Sequence, residues 1–275
     1  VGTNCGLVGQ NACVEVDGAA YWMSENGFFR YAGKLESLPC LVEDFVFDDI
    51  NMESGNQMIS AGLNNLFGEV IWFYPQATSS VVNRQVTYNY FDSSPQRPVW
   101  TVGSLSRTMW QDSAVFPRPH ALEYDASTDT SHDVVGNTEG RSSYYEHETG
   151  TDQNRNGTIT AVTSNLSSGD FDITQRQQGV ADIRGDGEFL MKIRRFIPDF
   201  ISQTGNAQVT LELRNFPNDT KASSALGPFT VTSSTQKVDT RARARAISLK
   251  VANTGSSQSW KLGTFRLDIQ PDGRR

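Results

Sequence analysis

An all-β fold, of propeller-like blades or multi-hairpin antiparallel sheets with one short helix, follows from three features of the sequence. Apolar residues alternate with polar ones at a period of two, short aromatic runs are separated by Asn, Gly and Ser, and helical periodicity is nearly absent. Near the N-terminus, Tyr21-Trp22-Met23 and Phe28-Phe29-Arg30-Tyr31 flank Ser24-Glu25-Asn26-Gly27. An Asn-Gly step between aromatic runs predicts a hairpin, because both central residues of the favoured turn need positive φ. The segment Asp48 to Ala61 predicts a helix, with Ile50 and Met58 turned inward and Gly55 weakening it. Val70 to Tyr74 and Val86 to Tyr90 predict a second strand pair. Trp22 and Trp72 lie 50 residues apart in aromatic strands, which suggests three or four blades of an incomplete propeller ring.

Asp125 to Arg141 has little to bury and predicts a long exposed loop; Gln153 to Asn156 and Ser164 to Asp170 read the same way. Strand patterning resumes after Phe189. Val209, Leu211 and Leu213 alternate with polar neighbours, as do Ile247, Leu249 and Val251, then Trp260 and Leu262, then Phe265, Leu267 and Ile269. The turn between the last groups is Asn253-Thr254-Gly255-Ser256. Three regions are expected: 1–125, aromatic-rich and blade-like with its short helix near 48–61; 126–188, a loop-rich connection with some strands; and 189–275, antiparallel with basic C-terminal strands.

The chain has 275 residues, 37% hydrophobic and 20% charged, with 15 Phe, 8 Tyr and 5 Trp, a composition that excludes a disordered chain. No apolar run reaches the roughly 18 residues of a membrane span. The first residues, Val1-Gly2-Thr3-Asn4-Cys5, carry neither an initiator Met nor a signal-peptide pattern, so a processed product or a fragment is expected. Cys5, Cys13 and Cys40 lack zinc-type spacing and read as buried free thiols from a reducing cytoplasm, with a Cys5–Cys13 bridge as the other option.

Net charge is −7, unevenly placed. Leu35 to Asn83 holds seven acidic residues and no basic one, whereas Arg241 to Arg275 carries a local +6, leaving −13 on the other 240 residues. This asymmetry predicts head-to-tail contact between copies, or contact with another protein, rather than a general DNA-binding surface. In Arg241-Ala-Arg243-Ala-Arg245, strand periodicity places three guanidinium groups on one face and the alanines on the other. Like charges so close need anions opposite, and the acidic stretch with Asp44, Asp48 and Asp49 is the expected partner.

Catalytic motifs are missing: there is no GxSxG, HExxH or CxxC. Gly27 to Lys34 is one residue too long for a phosphate loop, and Leu35 stands where a hydroxyl is needed. His147, between Glu146 and Glu148, reads as a packed or hydrogen-bonded structural histidine rather than a metal ligand, since a strand would turn it away from both glutamates. Asp152-x-Asn154-x-Asn156-Gly157-x-Ile159 matches the start of a calcium loop, but Thr163 replaces the bidentate Glu, so a polar turn is expected. Arg184-Gly185-Asp186 carries no weight. Asp44, Asp48, Asp49, Asp112 and Glu123 could supply a glycosidase carboxylate pair, though nothing in the sequence sets the spacing that the chemistry requires. No catalytic, cofactor or metal residues are expected, and the chain is expected not to be an enzyme.

Several strings carry a resemblance in their order and spacing. They are Leu38-Pro39-Cys40-Leu41-Val42-x-Asp44-Phe45-Val46-Phe47-x-Asp49-Ile50-Asn51, Asn64-x-x-Phe67-x-Glu69-Val70-x-Trp72-Phe73-Tyr74-Pro75 and Arg107-Thr108-x-Trp110-x-Asp112. They continue with Tyr145-x-His147-Glu148-x-Gly150, Ile197-Pro198-Asp199-Phe200, Gly227-Pro228-Phe229, Arg241-x-Arg243-x-Arg245 and Trp260-x-Leu262-Gly263-x-Phe265-Arg266-x-Asp268, before the terminal Asp272-Gly273-Arg274-Arg275. Together they resemble the C-terminal part of the tail hub or nozzle proteins of tailed bacteriophages, also called packaged-DNA stabilisation proteins. Members of that family often carry Gly between the C-terminal arginines, where this chain has Ala, and are usually longer.

The resemblance implies a virion protein of the tail, assembled in the bacterial host cytoplasm into a ring, typically of six copies. Such a ring lies below the portal and adaptor, contacts tail fibres or spikes, and extends the channel. Double-stranded DNA would pass through it without sequence-specific binding, be retained after packaging and be released on ejection. Acidic or neutral channel walls suit that passage, because cationic walls would hold phosphates. The loop at Asp125–Arg141 is the expected gate. The rival expectations are a carbohydrate- or receptor-binding tail module with Trp22 and Trp100 as stacking platforms, and a polysaccharide depolymerase.

Overall fold

In the computed structural model the described residues are 4–53, 56–113, 115–125, 141–155, 157–173, 189–216, 218–219, 224–253 and 255–273. The fold is all-β, 54% strand and 4% helix, in several antiparallel sheets. Contacts divide the chain into two units, Val1–Thr149 and Gly150–Arg275.

The first unit is built from meanders in which each strand pairs with the next in sequence. β1 (Cys13–Val16), β2 (Ala19–Ser24), β3 (Gly27–Tyr31) and β4 (Leu35–Leu38) form one four-stranded sheet. β5 (Ser60–Asn64), β6 (Glu69–Tyr74), β7 (Arg84–Asn89) and β8 (Trp100–Gly103) form another. β9 (Met109–Gln111), β10 (His120–Asp125) and β11 (Arg141–Glu146) form a three-stranded sheet in the order β11-β10-β9. The first strands pack in succession, β1 on β5 and β5 on β9, as in consecutive propeller blades. Asn11 and Ser60 form a parallel bridge, and Ala61 donates its backbone N–H to Asn11 at 2.7 Å.

Aromatic side chains fill this unit's core. Phe28 lies 4.9 Å from Trp72 and 4.7 Å from Trp100, centroid to centroid, and the fully buried Trp72 indole donates to the Ala12 carbonyl at 3.0 Å. The predicted hairpin is present, with Ser24 paired to Gly27, but its centre is Glu25-Asn26, one residue earlier than an Asn-Gly centre. The positive-φ hairpin turn is instead Asp17-Gly18, at φ 49° and 79°, between β1 and β2.

The helix lies earlier than its predicted span of 48–61: α1 is Glu43–Asp49. Val46 and Ile50, one turn apart, are both buried, and Glu43 and Asp44 suit the positive end of the helix dipole. Residues 60–64 pair with β6 as β5, so sheet pairing overrides the weak helical pattern downstream.

The second unit is a sandwich. One sheet runs β14 (Ser164–Ser167), β20 (Ala246–Asn253), β17 (Ala207–Arg214), β18 (Ala225–Val231). The other runs β19 (Val238–Ala244), β15 (Met191–Ile197), β22 (Arg266–Pro271). Met191, Ile193, Phe196, Ala242 and Ala244 from one sheet share a core with Val209, Leu211, Ile247 and Val251 from the other. β16 (Phe200–Thr204) pairs with β21 (Ser259–Leu262), and β12 (Asp152–Arg155) with β13 (Thr158–Ala161).

The alternations read at 209–213 and 247–251 are those of β17 and β20. The polar stretches read as loops at 153–156 and 164–170 instead contribute β12 and β14. Backbone pairing holds β14 against β20 although every β14 side chain is exposed, and Asn253 accepts from the Ser164 N–H at 3.0 Å. The cysteines are free as expected but not buried: Cys5 and Cys40 are half-buried and Cys13 is exposed. No described helix is long and apolar enough to cross a membrane. The 126–188 segment is shared between the units, giving β11 to the first and β12–β14 to the second.

Candidate functional site

The densest polar constellation lies where the second and third meanders meet. It is assembled from three of the strings quoted above. The β5–β6 turn supplies Asn64 and Asn65, β9 and its approach supply Arg107, Trp110 and Asp112, and the end of β11 leads into His147 and Glu148. Asn64 Nδ2 donates to Glu148 Oε1 at 3.0 Å, Asn65 N–H to Asp112 Oδ2 at 2.7 Å, and Trp110 Nε1 to the Leu63 carbonyl at 2.8 Å. The β5 backbone approaches Trp110 so closely at Gly62 that a Cβ there would sit 2.6–2.8 Å from the indole and its Cβ. Only glycine leaves room for this contact.

Arg107, 3% exposed, is the hub. Its Nε donates to His147 Nε2 at 2.9 Å and its Nη1 to the Ser106 carbonyl at 2.6 Å, with Glu123 in ion-pair contact at 3.5 Å. Its guanidinium also lies 4.2 Å over the Tyr145 ring. Burial lowers the Arg107 pKa, while Glu123 and Tyr145 oppose that shift. His147 packs 4.5 Å from Trp110 and is pushed down to about 4, first by burial and then by the Arg107 and His120 charges. It is therefore neutral at pH 7, with its Nε2 lone pair committed to Arg107. Glu69 is raised by burial and by the Glu148 carboxylate, and Glu148 by burial, against its Asn64 bond. Chemically, the arrangement fastens one sheet to the next and keeps its histidine uncharged. His147 is the packed, hydrogen-bonded residue that the sequence suggests.

The charged candidates separate by their burial and by the ion pairs they form. Asp49 is engaged: Arg84 Nε donates to its Oδ2 at 3.1 Å, and both are half-buried. Asp44 and Asp48 are exposed on α1. On β19, Arg241 and Arg243 are exposed and Ala242 and Ala244 buried, so two of the three arginines share a face as read. Arg245 does not join them. It is half-buried in the bend between β19 and β20, where the chain crosses from one sheet to the other and strand alternation ends. Arg243 donates to Asp272 of β22's exit, through its Nε to Oδ2 and its Nη2 to the carbonyl at 3.3 Å.

Other candidates resolve individually. Trp22 stacks on Phe29 and donates to the Cys5 carbonyl at 2.8 Å, and Trp100 donates to Pro39, so both proposed stacking platforms are tied down by internal bonds. An exposed aromatic stack lies elsewhere: Tyr144, 63% exposed, on His120 with rings 18° apart and 5.3 Å between centroids, and Phe116 edge-on to the same histidine. Asp112 and Glu123 belong to the network above. Asp152 accepts from Ser257 N–H at 2.8–2.9 Å and its hydroxyl at 3.2 Å, so the calcium-like string forms the β12–β13 hairpin with Gly157 N–H on Asn154. Among the described residues no three metal-binding side chains converge. Gly27–Lys34 is β3 (Gly27–Tyr31) and the bend that follows it. Of the expected gate at Asp125–Arg141, the end residues belong to β10 and β11, while 126–140, like Arg184-Gly185-Asp186, lie outside the described residues.

Sequence reasoning missed the Asn64–Glu148 and Asn65–Asp112 bonds, although the strings holding them were recognised, because their meeting depends on sheet packing. No protein-family model matches the chain, and no curated protein matches it significantly.

Proposed function

We propose that the chain is a structural component of a bacteriophage tail, a nozzle or hub ring that extends the DNA channel below the portal and adaptor. In this reading copies assemble into a ring, six by analogy with the family it resembles. The ring retains packaged duplex DNA, meets fibres or spikes, and opens for ejection without chemistry of its own. The observation that carries the reading is the interlocking of the resembling strings. Asn64, Asn65, Arg107, Trp110, Asp112, His147 and Glu148, dispersed in sequence, meet in one fastening between sheets. A protein under mechanical load needs such a fastening, whereas an enzyme would need a nucleophile or base left available to a substrate. The net charge of −7 also suits a wall past which DNA slides.

A second reading, a carbohydrate- or receptor-binding tail module, is favoured by the exposed Tyr144–His120–Phe116 stack, since sugars pack on aromatic faces. Electron microscopy of the purified chain, with mass by light scattering on the same sample, separates the two. A ring with a central channel is expected. A monomer that binds glycans on an array, and loses that binding in Tyr144→Ala, would replace the first reading with the second.

A further inference from the structure

The exposed face of the β19-β15-β22 sheet carries more positive charge than its own acids neutralise. Arg195 lies between Asp239 and Asp268, at 3.7 and 3.5 Å, and Arg243 engages Asp272. That uses all three acids on the face. Arg194, Arg241 and Arg266 are exposed and form no ion pair among the described residues, and Lys192 is half-buried on the same face. The strand register skips at Ile193/Arg195 on β15, while Thr240 and Arg241 fill the matching gap on β19. This irregularity leaves Arg194 across from the Thr240-Arg241 step of β19, which brings like charge into one part of the sheet. Ile197, 39% exposed, lies on the same face across from Arg266.

The complementary surface is α1. It holds Glu43, Asp44, Asp48 and Asp49 in seven residues with no base, and of these Asp44 and Asp48, one turn apart, are exposed without an ion pair among the described residues. Phe45 beside them is 51% exposed and Leu41, just ahead of the helix, 78%. Two carboxylates beside exposed apolar side chains match two guanidinium groups on a face that also carries an exposed isoleucine.

We infer that the β19-β15-β22 face of one copy receives α1 of a second copy, with Arg194 and Arg241 against Asp44 and Asp48. Because the two patches differ, the contact is heterologous: each copy offers a helix from its first unit and a sheet from its second, and repeated contacts of that kind close a ring or extend a filament. The inference rests on the oligomeric part of the reading above and not on its placement in a virion.

The test is light scattering on the full chain from about 1 to 100 µM in about 50 mM salt, where screening between surface charges is weak. The wild type is expected to exceed the 30.4 kDa of one copy and to dissociate as salt rises. Arg194→Glu/Arg241→Glu and Asp44→Lys/Asp48→Lys are each expected to weaken assembly about 100-fold, because like charges then face each other. Mixed in equal amounts, the two variants restore it, since each reversed patch finds its reversed partner. Circular dichroism checks that the variants fold; if either fails, Arg241→Gln and Asp44→Asn replace them, with about a tenfold weakening expected. A wild type that stays monomeric overturns the inference. Assembly indifferent to both reversals also overturns it while leaving a ring, and so the nozzle reading, intact. Duplex DNA bound by the wild type and lost in the arginine variant would assign the face to nucleic acid instead.

Discussion

Arg107→Met offers the sharpest check on the fastening between meanders. The substitution keeps the aliphatic bulk and removes the guanidinium. The change leaves His147 without its donor and Glu123, whose side chain is only 18% exposed, without its cation. Removing one partner of a buried pair costs about 3–5 kcal/mol, and the residual exposure of Glu123 places this case near about 3 kcal/mol. For a unit of roughly 150 residues that corresponds to a Tm lower by about 6–12 °C. Four of the five tryptophans (Trp22, Trp72, Trp100 and Trp110) lie in the first unit, so intrinsic fluorescence during urea unfolding mainly follows that unit. Adding Glu123→Gln to Arg107→Met removes the stranded charge and is expected to recover about 1 kcal/mol, giving a double-mutant coupling above the roughly 0.5 kcal/mol of independent sites. A loss under about 0.5 kcal/mol for Arg107→Met, or additive effects in the pair, would show that the network does not fasten the sheets.

Three further outcomes follow from the same geometry. His147 is held near 4 against an ordinary 6.5, so the unfolded chain binds its proton more readily; stability is intact above pH 6.5 and is lost as pH falls toward 4. After allowing for the partial exposure of the ring, the loss is about 2 kcal/mol, and His147→Phe should flatten that part of the pH–stability curve; an unchanged slope would contradict the assignment. Gly62→Ala is expected to cost about 1–3 kcal/mol in urea unfolding by driving a methyl into Trp110, and a neutral result would mean the close approach is not maintained. Asp152→Ala removes the bonds to Ser257 and should destabilise the second unit by about 1–2 kcal/mol, read from its single Trp260; no change there would deny the clamp a role.

Much of the fold was legible because it depends on local periodicity. The alternation at Val209-Leu211-Leu213 reports β17 directly, since a half-buried strand must alternate. The helix was misplaced because its few anchors, Val46 and Ile50 with Phe47 packed on Phe28, span only two turns, whereas Asp48 to Ala61 offered a superficially longer pattern whose end was claimed by β6. The strands at Asp152–Arg155 and Ser164–Ser167 left no signal because they are held by backbone pairing and bury little. The site was half legible. Arg107, Trp110, Asp112, His147 and Glu148 stood out as parts of familiar strings, but their partnership with Asn64 and Asn65 exists only once β5 and β9 are packed. Likewise, Arg-Ala-Arg-Ala-Arg could be read as one face only as far as the strand extends, and β19 ends at Ala244.

The central claim, that this chain is part of a phage tail, is tested most directly by electron microscopy of intact tailed particles labelled with a gold-conjugated antibody against it. Label concentrated at the tail below the portal is the predicted result. Particles that carry no label, while the antibody still recognises the isolated chain, would contradict it.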